Sequence, residues 1–124
     1  MTEITNTFDH VGLYVEDLER SIEFYGELFG FKVHSRLNDH GLQIVHLNMH
    51  SGLLQLKKGG IGKPGSGKYN HFGVTTSDFD GFLRKLKEMD VSYWEMSLGL
   101  GQRIVNFSDS DGHDIEVCEK PFNT

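Results

Sequence analysis

The alternation of apolar and polar residues near the start of the chain predicts a strand followed by a helix. From Phe8 to Val15 the apolar positions recur with a period of two, in a segment rich in β-branched and aromatic residues. Apolar residues then recur at helical spacing from Leu18 to Phe29. Asp17 is a suitable N-cap for this helix, and Gly30 is a suitable residue to end it.

Three more short apolar segments complete the first half of the chain. Residues 31–37, 42–48 and 53–57 are predicted strands, separated by polar or glycine-containing turns. The predicted order of elements is therefore β-α-β-β-β. Residues 59–68 (GGIGKPGSGK) contain five glycines and one proline, so they are predicted to be a linker rather than a regular element.

The second half of the chain repeats the same order. Residues 69–76 resemble the first strand, Asp78 is a suitable cap for a second helix, and strands are predicted at 91–96, 103–108 and 114–119. We therefore predict a single domain, residues 1–124, with one βαβββ module at about 7–58 and a second at about 69–119.

The two halves align at one constant offset. His71 lies 61 positions after His10, and the same offset relates Gly12 to Gly73, Asp17 to Asp78 and Gln55 to Glu116. Few aligned residues are identical, so chance similarity between two amphipathic βα units is the alternative. An ungapped register that also matches polar residues favours an internal duplication.

Four polar side chains lie on the strand faces that point away from the predicted helices. They are His10, Gln55, His71 and Glu116, because their strand neighbours Val11, Leu54, Phe72 and Ile115 form the apolar faces. If the duplication brings equivalent strands into one sheet, these side chains converge. Two imidazoles and one carboxylate suit Fe, Mn, Co, Ni or Zn and leave positions open for substrate or water. We predict a catalytic divalent metal held by His10, His71 and Glu116, with Gln55 as possible fourth ligand.

Each of these residues also has a simpler interpretation when taken alone. A strand histidine is usually solvated or hydrogen-bonded. Taken alone, Glu116 is most often a surface carboxylate, and Gln55 is more often a hydrogen-bonding residue than a ligand. His46 is either an acid–base residue of the cavity or a partly exposed strand residue. Cys118 is predicted to be a buried, inert thiol. Four histidines are placed outside the site: His34, His40 and His50, in or beside turns and exposed, and His113, in the turn 108–113.

Charge and composition exclude several classes of partner. Eighteen acidic and twelve basic residues give a formal charge of −6, which argues against nucleic acid or an anionic membrane. No apolar run approaches the roughly 20 residues of a membrane-spanning helix, and the first residues do not resemble a signal peptide. The single cysteine excludes an internal disulfide. We expect a cytoplasmic protein that acts on a small molecule.

Several segments together resemble the vicinal oxygen chelate superfamily, which includes glyoxalase I, extradiol dioxygenases, fosfomycin-resistance enzymes and methylmalonyl-CoA epimerase. The resemblance rests on FDHVGLYVEDLERSIEFYGELFGFKV (8–33), LLQL (53–56), YNHFGVTTSDFDGF (69–82) and SDSDGHDIEV (108–117). It implies an α+β fold in which two tandem βαβββ modules form a U-shaped, partly open β-barrel. It also implies a metal that binds adjacent substrate oxygens, and a homodimer whose clefts are often built from both chains.

By position, His10, His71 and Glu116 match the three shared metal ligands of this superfamily, while Gln55 falls where glyoxalase I has a second carboxylate. The resemblance implies a glyoxalase-I-like lyase or isomerase that uses a metal-stabilised enediolate, with Glu116 moving the proton. The neutral Gln55 departs from that pattern. The alternatives are an extradiol-type Fe(II) or Mn(II) dioxygenase, a fosfomycin-type resistance enzyme, and a small-molecule binding protein without catalysis.

Overall fold

The chain divides into two compact units, Met1–Ser66 and Gly67–Thr124. A computed structural model describes residues 5, 8–60, 71–98 and 101–121. Most of the predicted linker, and the start of the predicted fifth strand, lie outside the described residues. Among the described residues, no helix is long and apolar enough to cross a membrane.

Unit 1 is a βαβββ module with one helix and an open four-stranded sheet. Its sheet has the order β1-β4-β3-β2, in which β1 is parallel to β4 and the other pairs are antiparallel. The elements are β1 (His10–Tyr14), α1 (Leu18–Phe29), β2 (Lys32–Asp39), β3 (Leu42–Asn48) and β4 (Leu53–Lys58).

Unit 2 repeats this topology. Its sheet has the order β5-β8-β7-β6, again with the first strand parallel to the last and the other pairs antiparallel. The predicted α+β fold of two βαβββ modules is thereby confirmed. The elements are β5 (Phe72–Thr75), α2 (Phe79–Glu88), β6 (Tyr93–Leu98), β7 (Gln102–Ser108) and β8 (Asp114–Cys118).

Both helices begin at the predicted aspartates. The Asp17 carboxylate accepts a hydrogen bond from the Arg20 N–H (3.1 Å), and the Asp78 carboxylate accepts one from the Gly81 N–H (2.9 Å). These bonds satisfy backbone donors that the first helical turn leaves without partners. The first helix ends at Gly30, whose φ of 76° is a left-handed conformation that glycine adopts without steric cost.

The buried faces follow the predicted alternation. In β4, Leu54 and Leu56 are fully buried while Gln55 between them is half-buried. In β8, Ile115 and Val117 are fully buried on either side of the half-buried Glu116. Each fully buried leucine or isoleucine stabilises the fold by roughly 1.5–3 kcal/mol. This burial holds the intervening polar residues on the opposite face.

One strand begins later than its residues predict. Val91 was predicted to open the sixth strand, but β6 begins at Tyr93. The N–H of Val91 instead donates to the carbonyl of Leu86 (2.9 Å), after Asp90 has taken a left-handed φ of 58°. Val91 therefore belongs to the hydrogen-bonded end of α2.

Candidate functional site

A single row of paired residues crosses the sheet of unit 2. Gly73 of β5 pairs with Glu116 of β8, Glu116 pairs with Asn106 of β7, and Asn106 pairs with Trp94 of β6. Because paired residues on adjacent strands point to the same face, Glu116, Asn106 and Trp94 project together, away from the core formed by Ile115 and Val117.

The equivalent row crosses the sheet of unit 1. Gly12 of β1 pairs with Gln55 of β4, Gln55 with His46 of β3, and His46 with Ser35 of β2. Gln55 and Glu116 therefore occupy equivalent positions in their sheets, as the offset in sequence predicts. This equivalence supports an internal duplication.

In unit 2 the structure brings His71 and Glu116 together. The distance between His71 Nε2 and Glu116 Oε2 is 3.2 Å, and the side chains are 43% and 17% exposed, respectively. Two ligands each about 2.0–2.2 Å from a shared cation lie about 3.0–3.4 Å from one another. The spacing of these two atoms therefore suits adjacent ligands of one ion.

The other carboxylate oxygen of Glu116 has a separate partner. The Cys118 thiol donates a hydrogen bond to Glu116 Oε1 at 3.4 Å. Burial, together with this bond and the neighbouring negative charge, raises the pKa of the Cys118 thiol to about 11. The thiol is therefore protonated at neutral pH and orients the carboxylate.

Asn106 is a polar residue of this face that the sequence reasoning did not identify. Its Nδ2 atom is buried and has no hydrogen-bond partner among the described residues. A buried amide donor without a partner costs about 1–3 kcal/mol. The sequence feature that could have identified Asn106 is its position as a lone amide between the apolar residues Val105 and Phe107. Both neighbours are buried, and Asn106 pairs with Glu116 in the sheet.

In unit 1, His10 is held by its sequence neighbour. His10 Nδ1 lies 2.7 Å from Asp9 Oδ2, and the imidazole is 41% exposed. A carboxylate at Nδ1 favours the tautomer that donates from Nδ1 and leaves a lone pair on Nε2. This is the usual arrangement for a histidine that binds a metal through Nε2.

Gln55 belongs to a hydrogen-bonded chain that also contains His46 and Ser35. Gln55 Nε2 lies 3.1 Å from His46 Nε2, and His46 Nδ1 lies 3.1 Å from Ser35 Oγ. Burial, followed by the nearby His10 and His34, lowers the pKa of His46, whereas Asp9 opposes the shift. A neutral His46 can accept from the Gln55 amide and donate to Ser35. His46 is half-buried, and the centroid of its ring lies 6.4 Å from the centroid of the His10 ring.

The four predicted ligands are divided equally between the units. His71 and Glu116 are in contact in unit 2, whereas His10 and Gln55 lie on neighbouring strands of unit 1. Within either unit, the described His, Cys, Asp and Glu residues form no group of three or more that could hold a metal ion. Each unit therefore supplies two of the four side chains.

One of the remaining histidines differs from its predicted setting, and a second is more buried than its turn position suggests. His34 is exposed as expected, but it lies inside β2 and not beside a turn. His113 is only 7% exposed, and its backbone N–H donates to Asp109 Oδ1 at 2.9 Å. The Asp109 carboxylate closes this turn and draws His113 inward, so a turn position does not imply exposure here. His40 and His50 are exposed, as predicted.

Comparison with curated proteins and with solved structures finds several proteins similar to this chain. The chain is 27% identical over 113 residues to glutathione transferase FosA from Serratia marcescens, covering 90% of this chain and 79% of FosA. It resembles the structure of lactoylglutathione lyase from Agrobacterium tumefaciens, with a TM-score of 0.73 and 20% identity over 93% of this chain and 94% of the other.

A third similar protein is the fosfomycin resistance protein FosX from Listeria monocytogenes. A variant of it, complexed with Mn(II) and dihydroxypropylphosphonic acid, matches with a TM-score of 0.73 and 17% identity over 96% of each chain. At these identities the two structural matches show a shared fold.

The family model of the Glyoxalase/Bleomycin resistance protein/Dioxygenase superfamily matches residues 7–117, which is most of the chain. Members of this superfamily bind small-molecule substrates and include enzymes. The matched segment contains all four predicted ligands and both βαβββ modules. This chain therefore belongs to the glyoxalase/bleomycin resistance protein/dioxygenase superfamily.

Proposed function

We propose that the protein is a divalent-metal-dependent enzyme of the glyoxalase-I-like lyase or isomerase type, acting on a small substrate with two adjacent oxygens. The observation that carries this proposal is the 3.2 Å approach of His71 Nε2 to Glu116 Oε2, on the side of β8 opposite the buried Ile115 and Val117. An imidazole and a carboxylate at ligand spacing form the core of a metal site with positions open to substrate.

The proposed ligand set is His10, His71 and Glu116, with Gln55 as the fourth ligand. Its chemistry fits a divalent ion of the Ni, Co, Mn, Fe or Zn type, since two neutral imidazoles and one carboxylate suit such ions. The Asp9 contact to His10 Nδ1 supports the assignment, because it leaves Nε2 of that ring available. The Mn(II) held by FosX is a further support.

When bound, the ion would supply Lewis acidity and positive charge beside two adjacent substrate oxygens. The chain itself would provide the proton transfer. The Glu116 carboxylate would accept a proton from the substrate carbon and return it to the neighbouring carbon. The Cys118 thiol orients the carboxylate through Oε1 during both steps.

Metal content tests the proposed site. The wild-type protein purified without chelators is expected to hold one divalent ion per set of ligands, measured by elemental mass spectrometry. His10→Ala, His71→Ala and Glu116→Gln should each lose most of it, because each removes one of three strong ligands. His50→Ala, which changes an exposed histidine outside the set, should retain it. A His71→Ala protein with full metal content would contradict the site.

Turnover of the methylglyoxal–glutathione adduct tests the reaction. Protein loaded with Ni, Co, Mn or Zn should convert the adduct. Glu116→Gln should lower kcat by at least about 10²–10⁴-fold, because it removes the proposed general base and also a proposed metal ligand. No turnover with any of these ions would remove the lyase assignment and leave the metal site standing.

A fosfomycin-type enzyme is the second candidate function. It is favoured by the 27% identity to glutathione transferase FosA over 90% of this chain. The same metal site would then assist the opening of a small electrophile by a nucleophile. Expression in fosfomycin-sensitive bacteria should protect them if this assignment holds, and His71→Ala should abolish the protection.

A further inference from the structure

We propose that His46 is a positioning residue for the predicted fourth ligand. It fixes the side-chain amide of Gln55 so that the carbonyl oxygen, and not the nitrogen, is offered to the metal ion. This inference rests on the proposed function and deepens it at residue 55. Only the oxygen of a neutral amide coordinates a cation, because the amide nitrogen carries hydrogens and has no free lone pair. A glutamine ligand therefore needs a partner that holds its nitrogen away from the ion.

The two ends of the Gln55 amide point to opposite neighbours of β4. Its Nε2 atom points towards β3 and lies 3.1 Å from Nε2 of His46, with which Gln55 pairs. Its Oε1 atom points towards β1 and lies 3.1 Å from the point where a Cβ atom would stand on Gly12. The strand β1 also contains the predicted ligand His10. The absence of a side chain at Gly12 therefore leaves room for the amide oxygen on the side of the strand that carries His10.

The contact between Gln55 and His46 can have only one direction. Because an amide nitrogen only donates, His46 Nε2 must be the unprotonated, accepting nitrogen, and the proton of the neutral ring must lie on Nδ1. His46 Nδ1 lies 3.1 Å from Ser35 Oγ, which accepts this hydrogen bond. The Ser35 hydroxyl then donates to Nδ1 of His34, also at 3.1 Å. The three bonds run in one direction, from the amide of Gln55 to the exposed imidazole of His34.

A β-bulge brings Ser35 opposite His46. In the pairing of β2 with β3, Val33 pairs with Leu47 and Ser35 pairs with His46, so His34 is the extra residue of the bulge. In a regular ladder His34 would pair with His46, and Ser35 would point to the opposite face of the sheet. Ser35 is the one residue of β2 that is not exposed. The bulge therefore supplies the hydroxyl that keeps the proton of His46 on Nδ1.

The tautomer of His46 is the first test, and it needs no metal. ¹⁵N NMR of the metal-free protein distinguishes protonated from unprotonated imidazole nitrogens, and the signals of His46 are assigned by their loss in His46→Gln. At neutral pH we expect a proton on Nδ1 and none on Nε2. A proton on Nε2, in a neutral or a charged ring, would make His46 a donor to Gln55 Oε1. The amide nitrogen would then face β1, and the inference would be overturned.

The affinity for Zn(II) measures the effect of this positioning, through competition with a chromophoric chelator. His46→Leu removes the acceptor and should raise the Kd by about 10–100-fold, the usual effect of removing a partner of a metal ligand. His46→Gln keeps an acceptor oxygen at a similar reach and should restore most of the affinity. Ser35→Ala frees the tautomer of His46 and should also weaken binding. Ser51→Ala makes the same change at an exposed residue between β3 and β4 and should behave as wild type.

A double-mutant cycle assigns the effect to Gln55. In a Gln55→Ala background there is no amide to hold, so His46→Leu should cause no further loss of Zn(II) affinity. The double variant should therefore have the same Kd as Gln55→Ala alone. Urea unfolding of each variant confirms that it is folded.

The outcomes separate this inference from the proposed metal site. Equal losses from His46→Leu in both backgrounds would show that His46 acts without Gln55, and would overturn the positioning role. Unchanged affinity in His46→Leu would overturn it as well. Unchanged affinity in Gln55→Ala would overturn the inference and leave the metal site with three ligands. Failure of the wild type to bind Zn(II) would overturn the metal site itself, and this inference falls with it.

Discussion

At the scale of single residues, Glu116 has two oxygens with different partners. Oε2 approaches the imidazole of His71, whereas Oε1 accepts a hydrogen bond from the thiol of Cys118. The equivalent Gln55 instead contacts His46. The two halves of the duplicated fold therefore present a carboxylate and an amide in different hydrogen-bonding environments, and each environment leads to a prediction.

Cys118 should react slowly with thiol reagents in the native protein. Burial and Glu116 raise its pKa to about 11, so almost no thiolate is present at pH 7 to 8. Reaction with a disulfide reagent at pH 8 should be much slower in buffer than in concentrated urea, with Cys118→Ala as the blank. Rapid, stoichiometric labelling of the folded protein at neutral pH would contradict this assignment.

The same shift predicts how stability depends on pH. A thiol whose pKa is raised in the folded state contributes stability below its ordinary pKa. That contribution is lost as pH rises towards about 11. Urea unfolding between pH 8 and 11 should show this loss in the wild type and a shallower decline in Cys118→Ala.

Gln55→Glu should strengthen metal binding. A carboxylate is a stronger ligand than a neutral amide for these ions, so we expect at least about a tenfold lower Kd for Zn(II). Competition with a chromophoric chelator measures it. Gln43→Glu introduces the same change at an exposed position of β3 and should leave the Kd near that of the wild type. Unchanged affinity in Gln55→Glu would argue against a place for residue 55 in the ligand set.

At the scale of secondary structure, the two helices depend on the same capping bond. Asp17→Ala and Asp78→Ala should each lower the free energy of unfolding by about 1 kcal/mol, because each leaves a backbone N–H without its acceptor. Urea unfolding measures the change. Asn in place of either aspartate keeps an acceptor oxygen and should lose less. Equal stability of wild type and both alanine variants would contradict the capping role.

At the scale of the whole molecule, the predicted ligands are distributed over two units of equal topology. His10 and Gln55 belong to unit 1, and His71 and Glu116 belong to unit 2. Neither unit gathers three of these ligands among its described residues. From the family resemblance we propose a homodimer in which each site draws on both chains.

Mixing two inactive variants tests this arrangement. His10→Ala and His71→Ala proteins, unfolded together at equal amounts and refolded, should recover about one quarter of the wild-type metal sites if ligands come from two chains of a dimer. Half of the randomly formed dimers contain both variants, and each of these has one intact site. Analytical ultracentrifugation measures the fraction of the refolded protein that is dimeric. No recovery in a dimeric mixture would show that His10 and His71 serve the same site from one chain.

The types of most elements, and the faces of their residues, could be predicted from the amino-acid sequence. Local chemistry is sufficient for these features, because the period of apolar residues distinguishes helix from strand and a capping aspartate needs a donor only three residues away. Asp17 and Asp78 therefore cap the predicted helices, and Gln55 and Glu116 lie between buried residues as the alternation required. The repeated order of elements could also be predicted, since matching residues of the two halves are separated by one constant offset in the sequence.

Which side chains of different strands meet could not be predicted from the sequence pattern. Strand register depends on pairing between distant segments, which no local pattern specifies. That pairing placed Asn106 of β7 beside Glu116 of β8, and His46 of β3 beside Gln55 of β4. Periodicity predicts the face of a strand on which a residue lies, and only the folded register determines its neighbours.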